Sequence, residues 1–337
     1  MKQLRKILFP FAGCYYIITL LLNKAYDRGY FSSKEYQLPV ICVGNLNTGG
    51  TGKSPMTEYL IRLLRDSYKV ATLSRGYGRK TKGYLQVSSD SLAKNVGDEP
   101  LQFAKKFKNV NVSVCEDRQL GISKLLETNP LLDVILLDDA YQHRKVKAGF
   151  QIILTAYHDL YTDDFLLPAG NLREPRIGVR RAQVIIVTKC PSHISKNERD
   201  AVVEKIAPLA YQKVYFTTIN YSDVLMSDKT ELPISVLKTK KFTLVTGIAN
   251  PTPLVNYLKD LGLDFEHKAF GDHHNFALSE IKTLASHDFI LTTEKDYVRL
   301  SPMMVTENLF YLPIKASFIE DETLFNDQVL GFVKEFN

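Results

Sequence analysis

The chain has 337 residues, 45% of them hydrophobic and 24% charged, which suits a folded protein of two lobes and excludes a disordered composition. A net charge of +6 admits nucleotides, phospholipids or nucleic acid as partners without choosing among them. Cys14, Cys42, Cys115 and Cys190 stand far apart with no CxxC pair, so neither a zinc site nor a disulfide framework is expected, and a reducing compartment is the simpler reading.

The first element is apolar. Lys2, Arg5 and Lys6 precede a run from Ile7 to Leu22, diluted by Pro10, Gly13, Tyr15, Tyr16 and Thr19 and closed by Asn23, Lys24, Asp27 and Arg28. A spanning helix needs about 20 apolar residues, and this run is shorter. A signal peptide would share the basic start, but no small-x-small cleavage site follows and a nucleotide motif does. Two readings stand. One is a buried helix of the first lobe. The other is a helix in the membrane interface, with aromatics at headgroup level and cations on anionic lipid.

Beyond it, Leu38–Val43 reads as a buried strand, Gly44–Ser54 as a glycine-rich loop, and 55–65 as a helix. Strands follow at Tyr68–Leu73, Val110–Val114, Val134–Leu137, Gln151–Leu154 and Gln183–Val187, with a helix over Leu120–Leu126. Apolar strands alternating with helices predict a mostly parallel sheet covered on both faces. The polar stretch 221–241, with Pro233 and a lysine cluster, reads as a connection between lobes. The pattern then restarts with strands at Phe242–Val245 and Phe289–Thr292 and helices at Pro251–Leu261 and Ser279–Ser286. No internal repeat or low-complexity tract interrupts it.

The loop Asn47-Thr-Gly-Gly-Thr-Gly-Lys-Ser54 sits between a strand and a helix and fits G-x-x-x-x-G-K-[ST], with Asn47 at the first glycine position. Gly49, Gly50 and Gly52 let the backbone turn so that its amides, with those of Thr48 and Thr51, converge on phosphate oxygens. Lys53 adds a point charge for the β- and γ-phosphates, Ser54 offers a hydroxyl to Mg²⁺, and the following helix aims its positive end at the anion. The apolar strand Val134-Ile-Leu-Leu-Asp138-Asp139 supplies the acidic residue such a loop needs for its metal, while either Asp can instead cap a following turn.

Other segments carry charge at strand ends. Ser74-Arg-Gly-Tyr-Gly-Arg79 suits an anion, although a solvated turn explains it as well. Gly97-Asp-Glu-Pro100 opens a helix, where Asp98 is either an N-cap or a base for a substrate hydroxyl. Phe270-Gly-Asp-His-His-Asn-Phe276 reads as a surface loop or as a His assisting an Asp base. Leu167–Pro175, with Arg173 and Glu174, and Thr292-Thr-Glu-Lys-Asp296 complete the set. The guanine-reading pattern N-K-x-D is absent: Thr293–Asp296 keeps only its Asp and Thr188–Pro191 only its Lys. That argues against a GTPase switch. An ATPase with water as acceptor and a vestigial binding module are the other rivals, and no nucleic-acid module is recognisable.

Taken in order from Gly44 to Asp296, these segments resemble the tetraacyldisaccharide 4′-kinase family of lipid A biosynthesis. The matching pieces include Gly-Gly-Thr-Gly-Lys-Ser-Pro, Ser-Arg-Gly-Tyr-Gly-Arg, Gly-Asp-Glu-Pro, Asp-Asp-Ala-Tyr-Gln-His-Arg, Leu-Pro-Ala-Gly-Asn-Leu-Arg-Glu-Pro, Phe-Gly-Asp-His-His and Thr-Glu-Lys-Asp. The resemblance implies a P-loop α/β/α sandwich with a second, smaller α/β/α lobe and an N-terminal membrane-associated helix. Along the chain this gives the helix over 1–30, the P-loop lobe over 31–220, a linker over 221–241 and the second lobe over 242–337. It implies transfer of the γ-phosphate of ATP, with Mg²⁺, to the 4′-hydroxyl of an acylated glucosamine disaccharide 1-phosphate. The enzyme would sit peripherally on the cytoplasmic face of the inner membrane, with no protein partner implied. By the same resemblance Asp98 is the catalytic base and His273 its support, and Lys53 and Ser54 bind phosphate and metal. Asp138 and Asp139 attend Mg²⁺ and nucleotide, and Tyr77, Glu99, Arg118, Asn171 and Arg173 line the cleft. Ala140, Tyr141 and Gly271 depart from the Gly, Phe and Pro expected at those positions.

Overall fold

The structure, a computed structural model, describes residues 4–304 and 306–336. Lys2 and the side chain of Lys6, counted above in the basic start, fall outside what is described. In chain order the elements are α1 (Phe9–Asp27), β1 (Val40–Asn45), α2 (Lys53–Leu64), β2 (Val70–Ser74), β3 (Leu85–Val87), α3 (Ala93–Val96), α4 (Asp98–Lys106), β4 (Asn111–Val114) and α5 (Arg118–Thr128). Then come β5 (Val134–Asp138), β6 (Phe150–Ala156), β7 (Val184–Thr188), α6 (Lys196–Ile206), β8 (Lys213–Tyr221), β9 (Val224–Met226) and β10 (Glu231–Pro233). The chain ends with β11 (Phe242–Thr246), α7 (Thr252–Asp260), β12 (Phe265–Ala269), α8 (Leu278–Ala285), β13 (Ile290–Thr293), α9 (Glu294–Leu300), β14 (Leu309–Leu312), β15 (Ile314–Phe318) and α10 (Glu322–Lys334).

Nine strands form the first sheet in the order β15-β8-β7-β6-β1-β5-β2-β4-β3, and its centre is parallel. Each central strand divides its side chains between two cores by parity. Ile41, Val43, Leu136 and Ile152 point to one face with Met56, Leu60 and Leu64 of α2, Leu101 and Phe103 of α4, and Phe325 and Val329 of α10. Val40, Cys42, Ile135 and Ile153 point to the other with Ile122 and Leu125 of α5 and Val202 and Ile206 of α6. That double coverage explains why these strands read as unbroken apolar runs.

β1 lies between β5 and β6, and the chain leaves it first toward β2 and later toward β6 and β7. The reversal opens a crevice at the carboxyl end of β1, where open α/β sheets bind ligands. The phosphate loop leaves β1 at that end.

The second sheet runs β10-β9-β14-β13-β11-β12. α7 packs on one face through Leu254 and Leu258. α8 and α9 cover the other through Ile281, Leu284, Tyr297 and Leu300. Two expected boundaries move. The stretch 221–241 is no bare linker, because β9 and β10 within it pair as the antiparallel margin of the second sheet. The second lobe, expected over 242–337, gives up its tail. β15 pairs antiparallel with β8, and Phe325, Val329 and Val333 of α10 fill the first core. Short strands and an amphipathic helix with no distinctive end signal hide such a return in the sequence.

α1 runs longer than the apolar stretch that announces it. Only Ala12 of its side chains is buried, while Ile7, just ahead of it, is 74% exposed, Phe11 65% and Leu21 60%. The reading of a buried first-lobe helix is thereby set aside. Among the described residues no helix is long and apolar enough to cross a membrane.

Candidate active site

The phosphate loop begins where β1 ends. Gly52 is the N-cap of α2 at φ 86°, a left-handed conformation that a side chain would strain, so Lys53 and Ser54 become the first two residues of α2. Neighbouring strands brace the loop from outside. Thr188 Oγ1, at the end of β7, donates to the Thr51 carbonyl at 2.8 Å, and Lys189 Nζ donates to the Gly50 carbonyl at 2.5 Å. The Thr48 amide donates to the Asn171 carbonyl at 2.7 Å, and the buried Asn47 sends its Nδ2 to Asp164 Oδ2 at 3.3 Å. Asn47, Thr48, Gly49, Gly50, Thr51, Gly52, Lys53 and Ser54 thus form one cradle at the mouth of the crevice. The Thr48 and Thr51 amides, expected to turn toward phosphate, instead donate to the Asn171 and Gly49 carbonyls, the latter at 3.0 Å.

β5 delivers the two acids to the same mouth, and they do different work. Asp138 is buried and accepts from Thr57 Oγ1 of α2 at 3.3 Å. Burial, and then the charge of Glu99, push its carboxyl up to about 7. Asp139 adopts φ 51°, unusual for a residue with a side chain, and turns its carboxylate toward Lys53 at 3.8 Å. Arg173 grips it with both terminal nitrogens, at 2.7 and 3.2 Å. Burial alone would raise Asp139, but Lys53 and then Arg173 outweigh it and hold the carboxyl below its ordinary range. Neither acid is needed as a helix cap.

The second pair comes from across the lobes. Asp98 is the first residue of α4, yet Gly97 is the N-cap and no side chain caps the helix. The capping reading of Asp98 is therefore displaced. Its Oδ2 lies 3.1 Å from His273 Nδ1 and 3.5 Å from Arg299 Nε. Gly97 lets the start of α4 lie against the 76–77 turn: a β-carbon there would sit 3.1 Å from the Gly76 backbone and the Tyr77 carbonyl. The exposed Tyr77 ring tilts over His273 with centroids 5.2 Å apart. The adjacent histidines part company. His273, at φ 56°, faces Asp98, whereas His274 stacks on Phe270 and pairs with Glu280 Oε2 at 2.9 Å.

The remaining expected residues fall into place around these two groups. Glu99 is half-buried and close enough to act on Asp138, so α4 carries the Asp98 pair to the rim of the phosphate crevice. Arg118 is buried, and its guanidinium donates to the carbonyls of Cys115, Glu116 and Asp139 at 2.8, 3.2 and 3.3 Å, tying the ends of β4 and β5 together. The Asn171 side chain accepts from Arg5 at 2.8 Å. Arg79 of the Arg-Gly-Tyr-Gly-Arg segment is structural: it donates to the Gly83 carbonyl at 2.7 Å and pairs with Glu116. Two of the three departures are absorbed. The Tyr141 hydroxyl donates to the Gly178 carbonyl at 2.6 Å, its ring lies 4.3 Å under the Arg181 guanidinium, and Ala140 is buried.

Sequence reading missed several contributors. Asn45, buried at the end of β1, accepts from Lys53 Nζ at 3.4 Å and from Arg173. Glu174, noted in the sequence only as a charge of the 167–175 loop, is buried and accepts from Gln142 and from Arg181 at 2.9 Å. Arg299 donates to Asp296 and to the Gly247 carbonyl at 3.1 Å. The signal for Arg299 was its spacing of four from Lys295, which puts both on one side of α9.

Comparison with known proteins gives a consistent picture. A family model described as tetraacyldisaccharide-1-P 4′-kinase matches residues 4–334. A protein named tetraacyldisaccharide 4′-kinase from Flavobacterium johnsoniae is 47% identical over 99% of each chain. One of the same name from Bacteroides thetaiotaomicron is 41% identical, over 99% of this chain and 94% of that one. Among solved structures, LpxK from Aquifex aeolicus in complex with ATP superposes with a TM-score of 0.81 at 33% identity, covering 98% of this chain and 99% of that one.

Proposed function

The chain belongs to the tetraacyldisaccharide-1-P 4′-kinase family, and from that premise we propose that it transfers the γ-phosphate of ATP to the 4′-hydroxyl of an acylated glucosamine disaccharide 1-phosphate. The observation that carries this reading is the position of α4. Its first residue, Asp98, is paired with His273, and its second, Glu99, acts electrostatically on Asp138 beside the phosphate loop. A proton acceptor and a phosphate cradle therefore share one cleft, which is what transfer to an alcohol needs.

The chain's own residues divide the labour. Loop amides and Lys53 receive the β- and γ-phosphates, where charge builds in the transition state. Arg173 and Asn45 keep Lys53 and Asp139 at fixed spacing. Asp98 takes the proton of the attacking hydroxyl, with His273 steering it. Tyr77 and Glu99 border the acceptor side, and Arg118, Asn171 and Arg173 hold the cleft wall.

Among the described residues no three His, Cys, Asp or Glu side chains converge as a ready metal site. Mg²⁺ does not require one, since it is usually held by one or two carboxylates together with phosphates and water. The donor set fits: Ser54 heads α2, and Asp138 lies buried amid the negative charge of Glu99 and Asp139, which a cation would relieve. Ser54 and Asp138, with Asp139 beside them, would hold the ion, and when bound it neutralises β,γ-phosphate oxygen charge.

The exposed apolar stripe of Ile7, Phe11, Ile18 and Leu21, continued by Phe165 packed edge-on against Phe9, suits the interface of a membrane. It would seat the enzyme peripherally, on the ATP-containing side, beside an acylated substrate. The test is phosphate transfer from labelled ATP with Mg²⁺, with and without tetraacyl disaccharide 1-phosphate in detergent micelles. Label on the lipid, lost in Lys53→Ala, is expected. Label released only as inorganic phosphate would leave an ATPase.

A further inference from the structure

The segment Thr292–Asp296 marks the end of β13, and its Lys295 has no part in the reaction described above. Lys295 Nζ lies 3.0 Å from His273 Nε2, on the side of the ring opposite Asp98. Asp272 Oδ1, 3.8 Å away, supplies the counter-charge for the ammonium. The charged and titratable groups that meet the ring are thus Lys295 from α9, Asp98 from α4 and Tyr77 above it, with Asp272 of its own loop on Lys295 and Arg299 of α9 on Asp98.

A lysine ammonium has three hydrogens and no acceptor. A ring N–H facing it would set donor against donor, so Nε2 must present its lone pair. The ring proton then resides on Nδ1, and it points at Asp98 Oδ2. The ring's backbone is fixed as well, since the His273 amide donates to the Gly247 carbonyl at 3.2 Å in the left-handed conformation.

We infer that Lys295 is a positioning residue that locks His273 in the Nδ1–H tautomer, so that the imidazole holds Asp98 by Oδ2 and leaves Oδ1 to receive the proton of the acceptor hydroxyl. Arg299 reinforces the choice by approaching the same Oδ2. With Lys295 absent, the ring can move its proton to Nε2, turn a lone pair toward the carboxylate and release it. The second lobe thereby contributes both the ring and the lysine that holds it. The role in turnover rests on the reading of Asp98 as the base, whereas the tautomer does not.

The experiment uses the full-length enzyme labelled with ¹⁵N-histidine, with the His273 ring signals assigned by their loss in His273→Gln. Long-range ¹H–¹⁵N spectra of the wild type are expected to show a protonated Nδ1 and an unprotonated Nε2. In Lys295→Met the Nε2–H tautomer should become populated, and kcat should fall about 10- to 100-fold with KM for ATP within about twofold. Lys295→Arg, which keeps a cationic donor, should restore the Nδ1–H signal and most of the rate. A wild-type ring protonated at Nε2 overturns the inference without recourse to any variant. A tautomer unchanged in Lys295→Met removes the lock, and an altered tautomer with an unchanged kcat removes its role in turnover. Should the wild type transfer no phosphate to lipid, the reading of the reaction fails while the tautomer is still decided by the spectra.

Discussion

On the nucleotide side of the cleft, β1, β5 and β7 bring Asn45, Asp138 and Thr188 to one edge of a sheet whose residues are buried in unbroken runs. On the acceptor side, the loop 270–276 carries His273, held by its amide on Gly247 and by contacts to Asp98 and Lys295 from two other elements. The first wall is made by neighbouring strands of one lobe and stands whether or not the second lobe is in place. The second exists only while α4 of the first lobe meets α9 and the loop of the second. On the proposed assignment, nucleotide binding is built into the sheet, and proton acceptance into the way the lobes meet.

The largest test of this contrast sets Asp98→Ala against Lys53→Ala. Asp98→Ala should lower the transfer rate by about 10²- to 10⁴-fold and leave ATP affinity nearly intact. Lys53→Ala should lose both. Rates come from labelled-ATP transfer and affinity from calorimetry. A wild-type rate in Asp98→Ala would remove the acceptor wall from the mechanism.

Next in size is the contact that joins the lobes. Lys106 Nζ, at the end of α4, lies 2.7 Å from Glu58 of α2 and 2.8 Å from Glu294 of α9, and both acids are buried. Gln102 and Arg62 also donate to Glu58, each at 2.7 Å. The three helices that start at Lys53, Asp98 and Glu294 are therefore fastened at one buried cluster. Lys106→Met takes the cation from buried Glu294, while Glu58 keeps Gln102 and Arg62, and should cost on the order of 3 kcal/mol, seen as a lowered Tm. Glu294→Gln should cost less, because burial and then the charge of Glu58 already push that carboxyl up to about 7. If Lys106→Met melts like the wild type, the lobes are joined by something else.

A smaller effect follows from pH. The unfolded chain releases carboxyl protons near pH 4, whereas native Asp138 and Glu294 hold theirs up to about 7. Between those limits the native state binds more protons, so these two groups make the ligand-free protein lose stability as pH rises from about 4 to about 7. Asp139 runs the other way: its lowered value adds stability above the ordinary carboxylate range, and that share is lost on acidification. Asp138→Asn should flatten part of the decline in Tm between pH 5 and 7 without nucleotide. In the wild type, Mg²⁺ and ATP binding at pH 6.5 should release protons, measurable by calorimetry in buffers of different ionisation enthalpy. A slope unchanged by Asp138→Asn would put that carboxyl outside the pH response.

Much of the nucleotide wall was legible in the sequence because it follows from local rules. An apolar run, a glycine loop and a helix start are contiguous, and β5 announces its acids at its own end. The acceptor wall was legible only as separate segments. Nothing local in Gly97–Pro100 says that Asp98 meets a histidine 175 positions later rather than capping its helix. The family pattern suggested that pairing, and the geometry displays the contact. Arg299 and Lys106 escaped notice, and Lys295 stood out only as part of the charged segment 292–296, because a charged residue on a short helix looks the same whether it faces water or another lobe. The return of β15 and α10 to the first sheet was hidden for the same reason: strand pairing partners are not written in the strand.

The smallest expected effect bears on which wall α1 serves. The helix is more than an apolar surface, since the Tyr15 hydroxyl donates to the Arg173 carbonyl at 2.8 Å and Arg5 Nε donates to the Pro168 carbonyl at 3.0 Å. The loop it grips supplies the Asn171 carbonyl to Thr48 and the Arg173 side chain to Asp139. Removing residues 1–30 would therefore strip the proposed membrane contact and loosen the nucleotide wall together, and that deletion cannot tell the two apart. Point changes can. Ile18→Ser with Leu21→Ser, both on the exposed face, should weaken binding to anionic vesicles while ATP affinity stays put. Tyr15→Phe should do the reverse, leaving vesicle binding alone and weakening ATP binding by a few-fold, the size of one lost hydrogen bond of about 1 kcal/mol. If Tyr15→Phe leaves ATP affinity untouched, α1 is an anchor alone, and the nucleotide wall ends at the loop 167–175.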